Sequence, residues 1–107
     1  MSEQRSDRRT VRVRIEGGVQ GVGYRYWTER VADELGLTGW VRNRRDGSVE
    51  ALFSGPAEDV AQMLERCKGG PPSARVTAVT LIAEGGTPPS SLRRAVDRVS
   101  VATAMRQ

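Results

Sequence analysis

The 107 residues carry a net charge of +4, one cysteine and no histidine. A single cysteine excludes an internal disulfide, and the lack of histidine excludes a Ser-His or Cys-His relay, a histidine general base and every histidine metal site. The length suits one domain with a modest core, and no apolar run approaches a membrane span or the core of a signal peptide.

The charge invites a nucleic-acid reading until it is located. Residues 1–10 hold three Arg against two acids, and residues 93–107 hold four Arg against one Asp. Residues 11–92 therefore hold ten basic and ten acidic groups, and the body offers no net field to a polyanion. Sixteen of the seventeen basic residues are Arg, so any single Arg counts only through its context.

In chain order, residues 1–9 are polar and charged and read as a flexible tail. Residues 10–107 read as a single domain. From Thr10 to Glu16, Val11, Val13 and Ile15 alternate with Arg12, Arg14 and Glu16, which predicts a half-buried strand. A glycine-rich stretch follows. Tyr24, Trp27, Thr28, Val31 and Leu35 then keep helical spacing, with Tyr24 and Trp27 expected in the core and Gly36 at the helix C-terminus. Gly39 to Arg44 and Ser48 to Ser54 read as two strands, and Asp46-Gly47 between them predicts a two-residue type I′ hairpin.

Pro56 suits the first turn of a second helix, whose apolar face is Val60, Met63, Leu64 and Cys67. On that stripe Cys67 is expected as a buried, inert thiol. Gly69-Gly70-Pro71-Pro72 ends the helix, and Ala74 to Ala83 reads as a fourth strand. Beyond it the pattern does not decide: Leu92, Ala95, Val96 and Val99 have helical spacing, while Val99 and Val101 fit a strand. The structure of segment 84–107 stays open. The order βαββαβ predicts an α+β, ferredoxin-like sandwich, an antiparallel sheet with both helices on one face.

The stretch Gly17-Gly18-Val19-Gln20-Gly21-Val22-Gly23-Tyr24-Arg25 places four glycines between the first strand and the first helix. Glycine allows sharp turns that leave N–H groups uncovered, and successive uncovered N–H groups form a concave anion nest. The helix behind it points its positive end at the same place, and Arg25 adds a planar fork that matches two phosphate oxygens. The physics describes a phosphate or carboxylate site. A tight strand-to-helix connection has the same composition, so the loop by itself leaves both readings open. It is neither a Walker A loop nor a dinucleotide G-x-G-x-x-G.

The second candidate lies on Gly39-Trp40-Val41-Arg42-Asn43. Side chains alternate along a strand, so Val41 and Asn43 share one face and Trp40 and Arg42 the other. An asparagine just before Arg44-Arg45-Asp46-Gly47 can also serve the turn, by bonding the backbone.

Taken together, Gly17-x-Val19-Gln20-Gly21-Val22-x-Tyr24-Arg25, Gly36-Leu37-x-Gly39-Trp40-Val41-x-Asn43 and Asp46-Gly47-x-Val49-Glu50 resemble the signature of the acylphosphatase family. The later helix, the Pro-Pro break and the fourth strand also fit. The resemblance implies a small ferredoxin-like hydrolase that splits the carboxyl-phosphate bond of acyl phosphates into a carboxylate and inorganic phosphate, without metal or cofactor. It puts the phosphate cradle on the main-chain N–H groups of Val19, Gln20, Gly21, Val22, Gly23 and Tyr24, the phosphate-binding arginine on Arg25 and the water-orienting asparagine on Asn43. An acyl phosphate is a reactive mixed anhydride with a good leaving group, so a chain without histidine can still hydrolyse it by neutralising charge and holding a water in line.

The chain departs from the family pattern in three places. Tyr24 stands where Phe is frequent, adding a hydroxyl that needs a partner. Gly18 stands where a basic residue is frequent. Residues 90–107 contain four Arg and no aromatic residue, where relatives finish on a short aromatic-containing strand. The partners expected are a small acyl phosphate and inorganic phosphate, with no specific nucleic acid and no membrane, for a cytoplasmic monomer. The alternative is a non-catalytic anion- or nucleic-acid-binding module on the same fold. It requires aromatics on the open sheet face, for which Trp40 and Phe53 are the candidates.

Overall fold

A computed structural model of the chain describes residues 7–85. Its elements are β1 (Arg8–Gly18), α1 (Tyr24–Glu34), β2 (Thr38–Asn43), β3 (Val49–Pro56), α2 (Ala57–Gly69) and β4 (Arg75–Glu84). The four strands form one sheet in the order β2-β3-β1-β4, with each neighbouring pair antiparallel. The expected α+β ferredoxin-like sandwich is the architecture observed. The ambiguous pattern over 92–101 lies outside the described residues.

The period-2 pattern of β1 explains the layering. Val11, Val13 and Ile15 are buried, while Arg12, Arg14 and Glu16 between them are half-buried on the open face. Val41 of β2 and Val49, Ala51 and Phe53 of β3 complete the inner face, which packs on Tyr24, Val31, Val60, Met63 and Cys67 of the helices. Strand β1 begins at Arg8, with Arg8 and Arg9 paired to Pro56 and Gly55, so the sheet takes in two residues of the stretch read as a tail. Burial pushes the Cys67 thiol up to about 12, as expected of an unreactive core cysteine.

Each helix end has a local cause. Helix α1 stops in a Schellman motif: Gly36 N–H donates to the Asp33 carbonyl at 3.1 Å and Leu37 N–H to the Ala32 carbonyl at 2.9 Å. Helix α2 has Glu58 and Asp59 in its first turn and Arg66 and Lys68 in its last, each charge opposing the helix dipole. Pro56 stands just before its first residue, as N-cap, rather than within the first turn.

The β2–β3 connection differs from the expected two-residue turn. Arg44 N–H donates to the Ser48 carbonyl at 2.8 Å, enclosing a three-residue loop in which Gly47 N–H reaches the Arg44 carbonyl at 3.1 Å. A type I′ turn needs positive φ at both central residues, but here only Gly47 has it, at 95°. Asp46 keeps a negative φ, and its Oδ1 accepts from Ser48 N–H at 2.9 Å and Ser48 Oγ at 2.6 Å. The extra loop residue sets the register, pairing Asn43 with Val49 and Arg42 with Glu50.

Gly39 in β2 sits at φ 142°, opposite Phe53, and a Cβ there would run into the Leu52 carbonyl oxygen of β3. Gly39→Ala is therefore expected to lower stability by about 3 kcal/mol, since positive φ and a main-chain clash act together. Urea unfolding would measure this, and an unchanged midpoint would show that β2 can shift away from β3 at little cost.

Candidate active site

Sheet topology brings the two candidate regions together. Strands β1 and β2 run parallel, each antiparallel to β3 between them, so both end at the same edge of the sheet. The register aligns Ile15, Val49 and Asn43 in one row across β1, β3 and β2. Ile15 and Val49 face the helices, which places Asn43 on the helix-bearing face, where the chain leaves β1 for α1. Val41 shares that face, as expected.

The loop from Val19 to Gly23 turns through two glycines in the left-handed region, Gly21 at φ 76° and Gly23 at φ 81°. Left-handed residues alternating with residues of negative φ turn successive N–H groups toward one side. Gly23 is the N-cap of α1 and makes no side-chain cap. The helical ladder starts with Trp27 N–H donating to the Gly23 carbonyl at 3.0 Å. Among the described residues, no group accepts from the N–H groups of Gln20 through Tyr26. The first turn of α1 also holds no acidic residue, in contrast to α2. An uncapped helix start without a resident carboxylate has its positive end free for an external anion.

Two expected members of the cradle behave differently from the rest. Val19 is buried in the core and donates its N–H to the Gly17 carbonyl at 3.0 Å, so its N–H is engaged within the chain and the open run starts at Gln20. Tyr24 is also buried, and its hydroxyl donates to the Cys67 carbonyl at 2.7 Å, which supplies the partner the extra oxygen requires. That bond pins the start of α1 to the end of α2. Burial and the contact with Cys67 push the Tyr24 phenol well above its ordinary value, so it stays neutral.

Arg25 is half-buried in the first turn of α1 and has no ion pair or hydrogen bond among the described residues. Most arginines of the sheet are engaged: Arg9 pairs with Glu84, Arg14 with Glu16, and Arg12, Arg42 and Arg44 with Glu50. Asn43 is likewise half-buried, and its carboxamide bonds to nothing among the described residues. The turn chemistry that offered another account of Asn43 is carried by Asp46. An unpaired guanidinium, a free carboxamide and a row of unoccupied N–H groups thus border one end of the sheet.

Two further residues fix this geometry and were not singled out from the sequence for it. The Gln20 Nε2 group donates to the carbonyls of Arg44 and Ser48, both at 2.8 Å. On the open face, Glu50 Oε1 accepts from Arg42 Nη2 and Arg44 Nη1 at 2.8 Å, gripping the residues either side of Asn43. Glu50 is buried, which disfavours its charge, but the hydrogen bonds from Arg42 and Arg44 prevail and hold its carboxyl below the usual range. The Arg42 guanidinium also lies over the Trp40 ring, 4.9 Å from its centroid.

The aromatic surface needed by the nucleic-acid alternative is largely absent from the described residues. Phe53 is in the core, on the inner face, and Trp40 is half-buried beneath Arg42. Among the described residues, no group of three or more His, Cys, Asp or Glu side chains is placed to hold a metal ion, and no helix is long and apolar enough to cross a membrane.

The family model for acylphosphatase matches residues 11–92. The chain is 54% identical over 94 residues to an acylphosphatase of Bradyrhizobium diazoefficiens, covering 88% of this chain and 94% of the relative. It is 69% identical over 65 residues to an acylphosphatase of Nitrobacter hamburgensis, an alignment that takes in 61% of this chain and 66% of the relative, just under two thirds of its length. The structure of an acylphosphatase from Coxiella burnetii superposes with a TM-score of 0.77 at 33% identity, over 88% of this chain and 98% of that one. The chain belongs to the acylphosphatase family, hydrolases that act on acid anhydrides.

Proposed function

We propose that the protein hydrolyses the carboxyl-phosphate bond of acyl phosphates by gripping the phosphoryl group between Arg25 and the N–H groups from Gln20 to Tyr24, with Asn43 orienting the attacking water. The observation that carries this reading is that, among the described residues, the N–H groups from Gln20 to Tyr24 are unoccupied, Arg25 is unpaired and Asn43 makes no hydrogen bond. The phosphoryl group bears the negative charge that these groups lack, and preorganised donors stabilise it at no reorganisation cost during the reaction.

In the proposed reaction the Asn43 carboxamide holds a water in line with the scissile bond. The water oxygen bonds to phosphorus as the bond to the acyl oxygen breaks, and the carboxylate leaves with the electron pair. Among the described residues no carboxylate is hydrogen-bonded to Asn43 or Arg25 to act as base, and in this scheme the water proton passes to a phosphoryl oxygen. No metal or cofactor enters this scheme. The proposal includes a cytoplasmic monomer without a specific nucleic-acid partner, and the absence of net charge over residues 11–92 supports the last point.

Hydrolysis of benzoyl phosphate by the purified protein in EDTA tests the reading. Turnover that survives the chelator is expected. A folded protein without turnover, or one that requires added metal, would overturn it.

A further inference from the structure

We infer that the Gln20 side chain is a positioning residue that locks the phosphate cradle to the strand end carrying Asn43. This rests on the function proposed above and assigns Gln20 a role beyond its main-chain N–H.

The cradle and Asn43 belong to separate elements, the β1–α1 loop and the end of β2. They are not contiguous in sequence, and an in-line water requires their relative position to hold within a fraction of an ångström. Gln20 crosses that gap. Its Nε2 group has two protons, and both are used, one on the Arg44 carbonyl and one on the Ser48 carbonyl, each at 2.8 Å. Only the nitrogen end of the carboxamide can donate to two carbonyls, so the orientation of the amide is fixed by chemistry.

The two acceptors also matter. The Ser48 carbonyl accepts Arg44 N–H, and the Arg44 carbonyl accepts Gly47 N–H, so they are the closing groups of the hairpin loop. Gln20 therefore grips the root of the hairpin, one residue beyond Asn43. Its own N–H opens the unoccupied run of the cradle. One residue thus joins the anion grip to the water-orienting side chain.

Removing the brace should misplace Asn43 relative to bound phosphate without removing any group that touches phosphate. Gln20→Ala is expected to lower kcat on benzoyl phosphate by about tenfold to a hundredfold, with inhibition by inorganic phosphate kept within about threefold. In an Asn43→Ala background, Gln20→Ala should cost little more, because the side chain it positions is already gone.

A folded Gln20→Ala variant with unchanged kcat would overturn the inference. So would losses that multiply in the double variant, or a fall in phosphate affinity that matches the fall in kcat. If Gln20→Ala does not fold, Gln20→Glu keeps the length but turns a carboxylate toward two carbonyl oxygens. Its kcat relative to wild type should then recover as pH falls through the carboxylate range, where the protonated acid regains one donor. A ratio that is flat with pH would count against the brace. An inactive wild type would sink the proposed function itself, whereas an active wild type with an inactive Asn43→Ala and a normal Gln20→Ala would sink only the role of Gln20.

Discussion

Asn43→Ala is expected to lower kcat on benzoyl phosphate by about a hundredfold to a thousandfold, the range typical of losing a preorganised donor to the reacting centre. Its effect elsewhere should be small, for a specific reason. The Asn43 carboxamide makes no hydrogen bond among the described residues, so truncating it breaks no internal contact. The Asp46 side chain holds the hairpin loop without it, and Glu50 holds the flanking arginines. Inhibition by inorganic phosphate and the melting temperature should both stay near wild type. A drop in melting temperature, or equal losses in turnover and phosphate affinity, would make Asn43 a structural residue.

Arg25→Lys should fail in the complementary way. The guanidinium can present two parallel donors to two phosphoryl oxygens, and an ammonium is a compact point charge on a shorter reach. Losing a charge-assisted hydrogen bond of this kind is expected to weaken inhibition by inorganic phosphate by about tenfold to a hundredfold, with kcat/KM falling at least as far. Because Arg25 has no carboxylate partner among the described residues, the substitution strands no buried acid and the fold should be kept. Near-normal phosphate inhibition in the variant would show that the main-chain groups suffice and that Arg25 is incidental.

Much of this was legible in the sequence because the signals were local and agreed with one another. The alternation of Val11, Val13 and Ile15 gave the first strand its faces. Gly36 marked the end of α1, and Gly69-Gly70-Pro71-Pro72 the end of α2. The glycine loop pointed to Arg25 and the hairpin strand to Asn43, the motif resemblance gave each its role, and the sheet order brings the β1–α1 loop and the end of β2 to one end of the sheet, beside the start of β3.

What escaped depended on one residue of register. A two-residue Asp46-Gly47 turn would have set Asn43 opposite Glu50. The three-residue loop sets it opposite Val49 and sends Glu50 to Arg42, on the other face. The loop length was not legible because Asp46 bonds Ser48 through its side chain and so avoids the positive φ that the shorter turn needs. Once the register shifts, Glu50 becomes the buried anchor for three arginines, a role that depends on strand pairing and not on its own neighbours in sequence. The brace from Gln20 escaped for a related reason. A glutamine in a glycine loop announces no partner, and its acceptors are main-chain carbonyls on an element more than twenty residues away.

The composition of the anion grip has a consequence for how the protein can change over generations. Apart from Arg25, every donor in the proposed grip is peptide backbone, and a codon change cannot delete a peptide N–H except by installing proline. Side chains along the loop can therefore drift toward other substrates or partners while the phosphoryl grip persists. Vulnerability is concentrated instead at positions whose identity sets the path of the chain: Gly21 and Gly23 through their left-handed φ, and Gln20 through its hold on the hairpin. On the proposed site, the function is inherited largely as a shape, and it would be lost by bending the loop before it was lost by changing its chemistry.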